Sequence, residues 1–147
     1  MSERSPELLS LVETVELNEV GFNEISAKRA PLPDANPETA DVQPSYGLSI
    51  EHTEDQFRVA VRVDVATVVG PVAVEAFAHY KALEGVPELT QALLVDYTNE
   101  VVLMVLLPYL RQAIADVTQR IFGTPLLMPV LPRGAITFGS QDTAEEQ

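Results

Sequence analysis

The stretch QFRVAVRVDVATVV, running from Gln56 to Val69, constrains the fold most. Phe57, Val59, Val61, Val63, Val65 and Val69 fall on one face, and Arg58, Arg62 and Asp64 fall on the other. A two-residue period sustained in β-branched residues suits a half-buried strand and argues against a helix, whose apolar positions recur at three and four. Gly70-Pro71 marks a turn after it, and VAVEAFAHYKAL can return as an antiparallel partner. Upstream, YGLSIEH places Tyr46, Leu48 and Ile50 on one side, and HTED turns the chain into the long strand. These three segments form a meander. A further strand over Thr14 to Ile25 alternates less cleanly, and Gly21 within it suggests a bulge or the close approach of another backbone.

Between that first strand and Tyr46 lies SAKRAPLPDANPETADVQPS, with prolines at 31, 33, 37 and 44. Neither a helix nor a strand interior survives such a density of residues that lack an amide donor. A long connection followed by a three-strand meander is the Greek-key pattern, in which the outlying strand returns beside the far end of the meander. The expected fold class is therefore α+β, built on a four-stranded antiparallel sheet with a long crossover loop between strands 1 and 2.

After Gly85 the period changes. PELTQALLVDY can form a short helix with Leu89, Ala92, Leu93 and Tyr97 on one side, and Thr98 or Asn99 can cap a longer helix that stops at Gly123, just before Pro125. Beyond Pro108, an apolar stripe recurs at three and four; before it, VVLMVLL is apolar all round. Both helices are expected on one face of the sheet. A helix apolar on every side must be covered on every side, and the sheet covers only one. We therefore expect a homo-oligomer whose long helices pack together, with Leu103, Leu106, Leu107, Leu110 and Ile114 at the interface. Pro108 removes a backbone donor, so the helix either kinks there, as Thr98-Asn99-Glu100 favours, or begins there.

The 147 residues suit a single domain, with residues 1–10 and 139–147 expected as flexible tails. There is no cysteine, which excludes a thiolate nucleophile and Cys-ligated metal. The N-terminal stretch lacks the pattern of a secretory signal, and the unbroken apolar run Val101 to Leu107 is far short of the ~20 residues that span a bilayer, so a cytoplasmic chain without direct membrane insertion is expected. A net charge of −13, from 22 acidic and 9 basic residues, repels nucleic acid and suits a basic partner or simple solubility. His52 and His79 stand in no ligand or catalytic spacing, and no phosphate-binding or nucleophile-elbow motif occurs. No metal, cofactor or enzymatic activity is expected.

The stretch VLLPYLRQAIADVTQRIFGTPLLMPV resembles the signature of the SecB family of protein-export chaperones. An apolar triplet precedes Pro108-Tyr109, Arg111 follows, and the segment ends on Leu127-Met128-Pro129-Val130. Asp41-Val42-Gln43-Pro44 resembles the family element leading into the second strand, and Glu19-Val20-Gly21-Phe22 matches a pattern near the start. The resemblance implies a homotetramer, a dimer of dimers with helices between two sheets. It also implies a holdase that keeps unfolded preproteins competent for export and passes them to a SecA-type motor. By position, Leu32, Val42, Tyr46, Leu126, Leu127, Val130 and Phe138 would line the client groove, with ordinary core packing as the competing role for each. Glu19 and Glu75 would form the acidic surface for the motor. Asn23 stands where the family has an acid, and Val42 where it has an aromatic residue. A rival function is a SecB-like chaperone dedicated to an antitoxin in a toxin-antitoxin-chaperone system.

Overall fold

The alternating segments become four antiparallel strands: β1 (Val15–Ala27), β2 (Gln43–His52), β3 (Gln56–Ala66) and β4 (Pro71–Ala82). The computed structural model describes residues 5–30, 43–129 and 134–139. The order across the sheet is β1-β4-β3-β2, so β1 lies beside the far end of the β2-β3-β4 meander, as a Greek key requires. Register makes the core. Leu48 opposes Val61, Ile50 opposes Val59, Phe57 opposes Tyr80 and Val63 opposes Val74, which puts the valine stripe and its neighbours on one buried face.

β1 reaches that face by a different spacing. Its register shifts between Leu17 and Glu19 and again between Phe22 and Glu24, leaving Asn18 and Asn23 as extra residues. Each bulge resets the alternation, so Leu17, Val20, Phe22 and Ile25 all point the same way despite uneven spacing. Gly21 is not a bulge itself. It lies opposite Phe77, and a Cβ there would stand 2.9 Å from the Phe77 ring, so its missing side chain makes room for an aromatic ring rather than a backbone.

The helices depart from expectation at two points. Residues from Pro6 onward are not a frayed tail: α1 (Pro6–Thr14) is capped by Ser5, whose hydroxyl accepts from the Leu8 N–H at 3.1 Å, and it buries Leu8 and Leu11. Of the expected C-terminal tail only Gly139 is among the described residues. The second departure is the helix start. Thr90, not Thr98 or Asn99, is the cap, accepting from the Leu93 N–H at 3.2 Å before α2 (Gln91–Tyr97). Thr98 instead donates its hydroxyl back to the Leu94 carbonyl at 2.8 Å. The chain then widens into one π-helical turn over Thr98–Val102 and continues as α3 (Leu103–Phe122).

Pro108 lies inside α3, so of the two expected alternatives the helix does not begin there and runs through the proline. Pro108 and Met104 both lie on the exposed side, where water can bond the carbonyl that the proline leaves without a donor. By length and composition the 32-residue run Gln91–Phe122 could cross a membrane. Its apolar stripe of Leu103, Leu106, Leu107, Leu110, Ala113 and Ile114 is buried in the protein's own core instead. Phe57, Tyr80 and Tyr97 fix one end of this packing: the first two stack at 5.0 Å between ring centroids, and Tyr97 meets both edge-on.

Candidate functional site

Gly123 ends α3 in the left-handed region (φ 84), and its N–H reaches the Gln119 carbonyl at 3.1 Å. This reverses the chain, which then runs back along the helix it has just left. The Leu126 N–H donates to the Thr118 hydroxyl at 2.7 Å, and Arg111 Nε donates to the Met128 carbonyl at 3.4 Å. Thr118 is fully buried, and its own proton goes to the Ile114 carbonyl at 2.7 Å. From Thr118 to Arg111 the helix rises ~10 Å, so residues 124–129 form a strap along about two turns of α3.

Beneath the strap is a narrow crevice walled by Tyr46 of β2, Val63 of β3, Leu107, Leu110 and Ile114 of α3, and Met128 of the strap itself, with a volume of about 10 Å³. Arg111 is the one charged side chain at its wall, and Pro129 also lines it. Burial pushes the Tyr46 phenol up from its usual pKa, in keeping with a ring half inside an apolar wall.

The residues expected to line a groove are distributed unevenly. Tyr46 is in the crevice wall. Leu126 is half-buried against the core, whereas Leu127 is 76% exposed and turned away from it. Phe138 is a correction: it is buried in the core cluster, where its backbone N–H and carbonyl each make a 2.8 Å bond with the Asn99 side chain. Leu32, Val42 and Val130 lie outside the described residues.

The interface assignment also needs correction. Leu103, Leu106, Leu107, Leu110 and Ile114 are at most 8% exposed in the single chain and pack on its own sheet, so they have no surface to offer a second chain. Met104, Tyr109 and Ile121 are the large apolar side chains that α3 exposes. Thr118, Met128 and Asn99 were missed as site-building residues. Arg111 was visible only as part of the proline-tyrosine motif.

The opposite face of the sheet is polar. Arg62 sits at 2.7 Å from Glu24, 2.9 Å from Asp64 and 3.5 Å from Glu75. Glu75 also accepts from Asn23 at 2.8 Å, and Arg58 donates to Asn23 at 2.9 Å while its guanidinium lies 3.8 Å over the Phe77 ring. Bonding to Arg62, then to Ser26, holds the Glu24 carboxyl below its usual range. Glu19 is exposed on this face, opposite His79. His79 is spanned by Asn18 at 3.1 Å and Gln56 at 2.8 Å, a structural setting for a histidine. Among the described residues no three His, Asp or Glu side chains come together as metal ligands.

No family model and no curated protein matches the sequence. Among solved structures, the fold is similar to the Mycobacterium tuberculosis Rv1957 SecB-like chaperone, solved in complex with a ChAD peptide from the Rv1956 HigA1 antitoxin. The TM-score is 0.74 at 17% identity, covering 86% of this chain and 94% of that one. A protein of unknown function from Streptococcus agalactiae aligns with a TM-score of 0.42 at 12% identity, over 79% of this chain and 97% of that one, too low to bear on the argument. The four-stranded sheet, the long helix and the breadth of the first alignment lead to one conclusion: this chain has the SecB-like fold.

Proposed function

We propose that the chain is an ATP-independent holdase, a cytoplasmic chaperone that seats extended apolar segments of unfolded polypeptide between its sheet and its long helix. The crevice carries this reading. Its wall is apolar from β2, β3 and α3, and its cover is an irregular strap tied to α3 by two hydrogen bonds. Apolar contact is non-directional, so such a wall accepts many sequences, as a chaperone must.

Two client classes fit. An antitoxin segment is favoured by the complex of the Rv1957 SecB-like chaperone with a HigA1 antitoxin peptide. Unfolded preproteins on their way to a SecA-type motor are the other, for which Glu19 and Glu75 would supply the acidic contact. Arg62 and Asn23 already engage Glu75, which leaves Glu19 the more available of the two. A homo-oligomer, a tetramer built as a dimer of dimers, would cover the apolar side chains that α3 and β1 expose.

The reading predicts that substoichiometric oligomer suppresses aggregation of a chemically denatured protein diluted into buffer without ATP. No suppression even in excess would refute it. Polypeptide recovered with the chaperone from its host then separates the client classes, an antitoxin supporting the dedicated role and secretory precursors the export role.

A further inference from the structure

We infer, resting on the chaperone reading above, that the strap of residues 124–129 is the resident ligand of the crevice, a segment of the chain standing where client polypeptide binds. The crevice is not empty space awaiting a ligand. With Met128 in its wall it retains about 10 Å³, room for about one water molecule and not for an apolar side chain. A client side chain can enter only as Met128 leaves.

Both hydrogen bonds that hold the strap are to its backbone and do not depend on its own sequence; the rest of its hold is Met128 in the crevice wall and Leu126 half-buried against the core. Thr118 accepts a backbone N–H, Arg111 donates to a backbone carbonyl, and one flexible thioether side chain fills the apolar wall. Any extended segment with an unbranched or γ-branched apolar side chain can reproduce all three. Leu127 points outward at 76% exposure and takes no part. Arg111 pairs with no carboxylate among the described residues, and its single bond to the strap is long at 3.4 Å, so its donors can pass to an incoming carbonyl.

The ligand class follows from the occupant: an extended polypeptide with a Met- or Leu-like side chain seated beneath Arg111. Because the strap is tethered, it competes at the millimolar effective concentration typical of short linkers. Folded proteins and weak segments are excluded, while unfolded chains offering several apolar segments displace it. Apparent affinity is then the intrinsic affinity multiplied by the fraction of strap released.

The test uses the full-length protein and, as probe, a permanently unfolded, reduced and carboxymethylated reporter protein labelled with fluorescein. Met128→Ser and Leu126→Ser, which loosen the strap alone and leave Thr118 and Arg111 to the client, each checked for an unchanged fold by circular dichroism, should tighten reporter binding by roughly five- to tenfold. Leu127→Ser should stay within about twofold of the parent. In the unaltered protein, the Leu126 amide should lose its protection from hydrogen exchange when reporter binds. If the parent binds reporter while both variants bind equally or more weakly, or while Leu126 stays protected, the resident-ligand inference is overturned and the chaperone reading survives. If the parent binds no reporter, both fall together.

Discussion

The two flanks of α3 present the same face of the same sheet, yet they are finished differently. Toward β2, the strap closes over Tyr46 and Val63 and leaves a crevice. Toward β1, Leu17, Phe22 and Ile25 remain 40 to 47% exposed on the inner face. The difference has a simple geometric origin. A helix with its side chains is ~10–12 Å across, whereas four strands spaced ~4.8 Å apart present a surface closer to 19 Å wide. One helix cannot cover it. The chain supplies its own cover on one flank, and on the other the described residues supply none. That division suggests a replaceable segment for client binding on the β2 side and a second copy of the chain on the β1 side.

The largest expected effect comes from the centre, where both flanks depend on the same helix. Leu110→Asp should abolish folding, since truncating a buried leucine to alanine already costs ~2–5 kcal/mol and a buried unpaired carboxylate costs more. Urea denaturation followed by circular dichroism reads this directly. A folded but monomeric Leu110→Asp protein would restore the interface role that burial of this side chain argues against.

Next in size is the open flank. Phe22→Ser combined with Ile25→Ser should lower the oligomeric mass by light scattering while shifting folding stability by less than ~1 kcal/mol, as expected of exposed positions. An unchanged mass would remove this flank from any interface between copies and weaken the comparison at its root.

Much of the sheet was legible in the sequence because β3 touches one apolar layer along its whole length, so its two-residue period is uninterrupted. β1 was harder to read because Asn18 and Asn23 each reset the phase, and no local signal distinguishes a bulge residue from a surface asparagine. The helix start was misplaced for a chemical reason. Thr90 and Thr98 look alike as caps, but only Thr90 accepts from an N–H, whereas Thr98 bonds back to Leu94. VVLMVLL is apolar all round and so does not show which stripe meets its own sheet. In the strap, hydropathy alone cannot tell that Leu127 faces solvent while Met128 faces the crevice, or that Thr118 is a buried tether. That choice is set by the turn at Gly123, not by hydrophobicity.

The smallest effects belong to the outer face, where charges are solvated. Arg62→Ala leaves Glu24, Asp64 and Glu75 facing one another without their shared cation and should cost at most ~1 kcal/mol, as for other exposed ion pairs. The pH dependence has a defined sign. Arg62 and Ser26 hold the folded Glu24 carboxyl below its unfolded value, so its stabilising contribution is present above the unfolded value and is lost as pH falls through the folded one. Melting temperatures followed from pH 6 to pH 3 should fall less steeply in Arg62→Ala than in the parent. An identical slope would mean that the pair adds nothing.

The central claim, that unfolded polypeptide enters between the sheet and α3 beneath the strap, is tested most directly by site-specific photo-crosslinking. A benzophenone amino acid in place of Tyr46, which lines the crevice, is compared with the same group in place of Glu51, whose register partner Arg58 places it on the opposite face. With an unfolded reporter bound, the group at position 46 should capture the reporter and the group at position 51 should not. Capture at position 51 alone, or equally at both, would contradict the account.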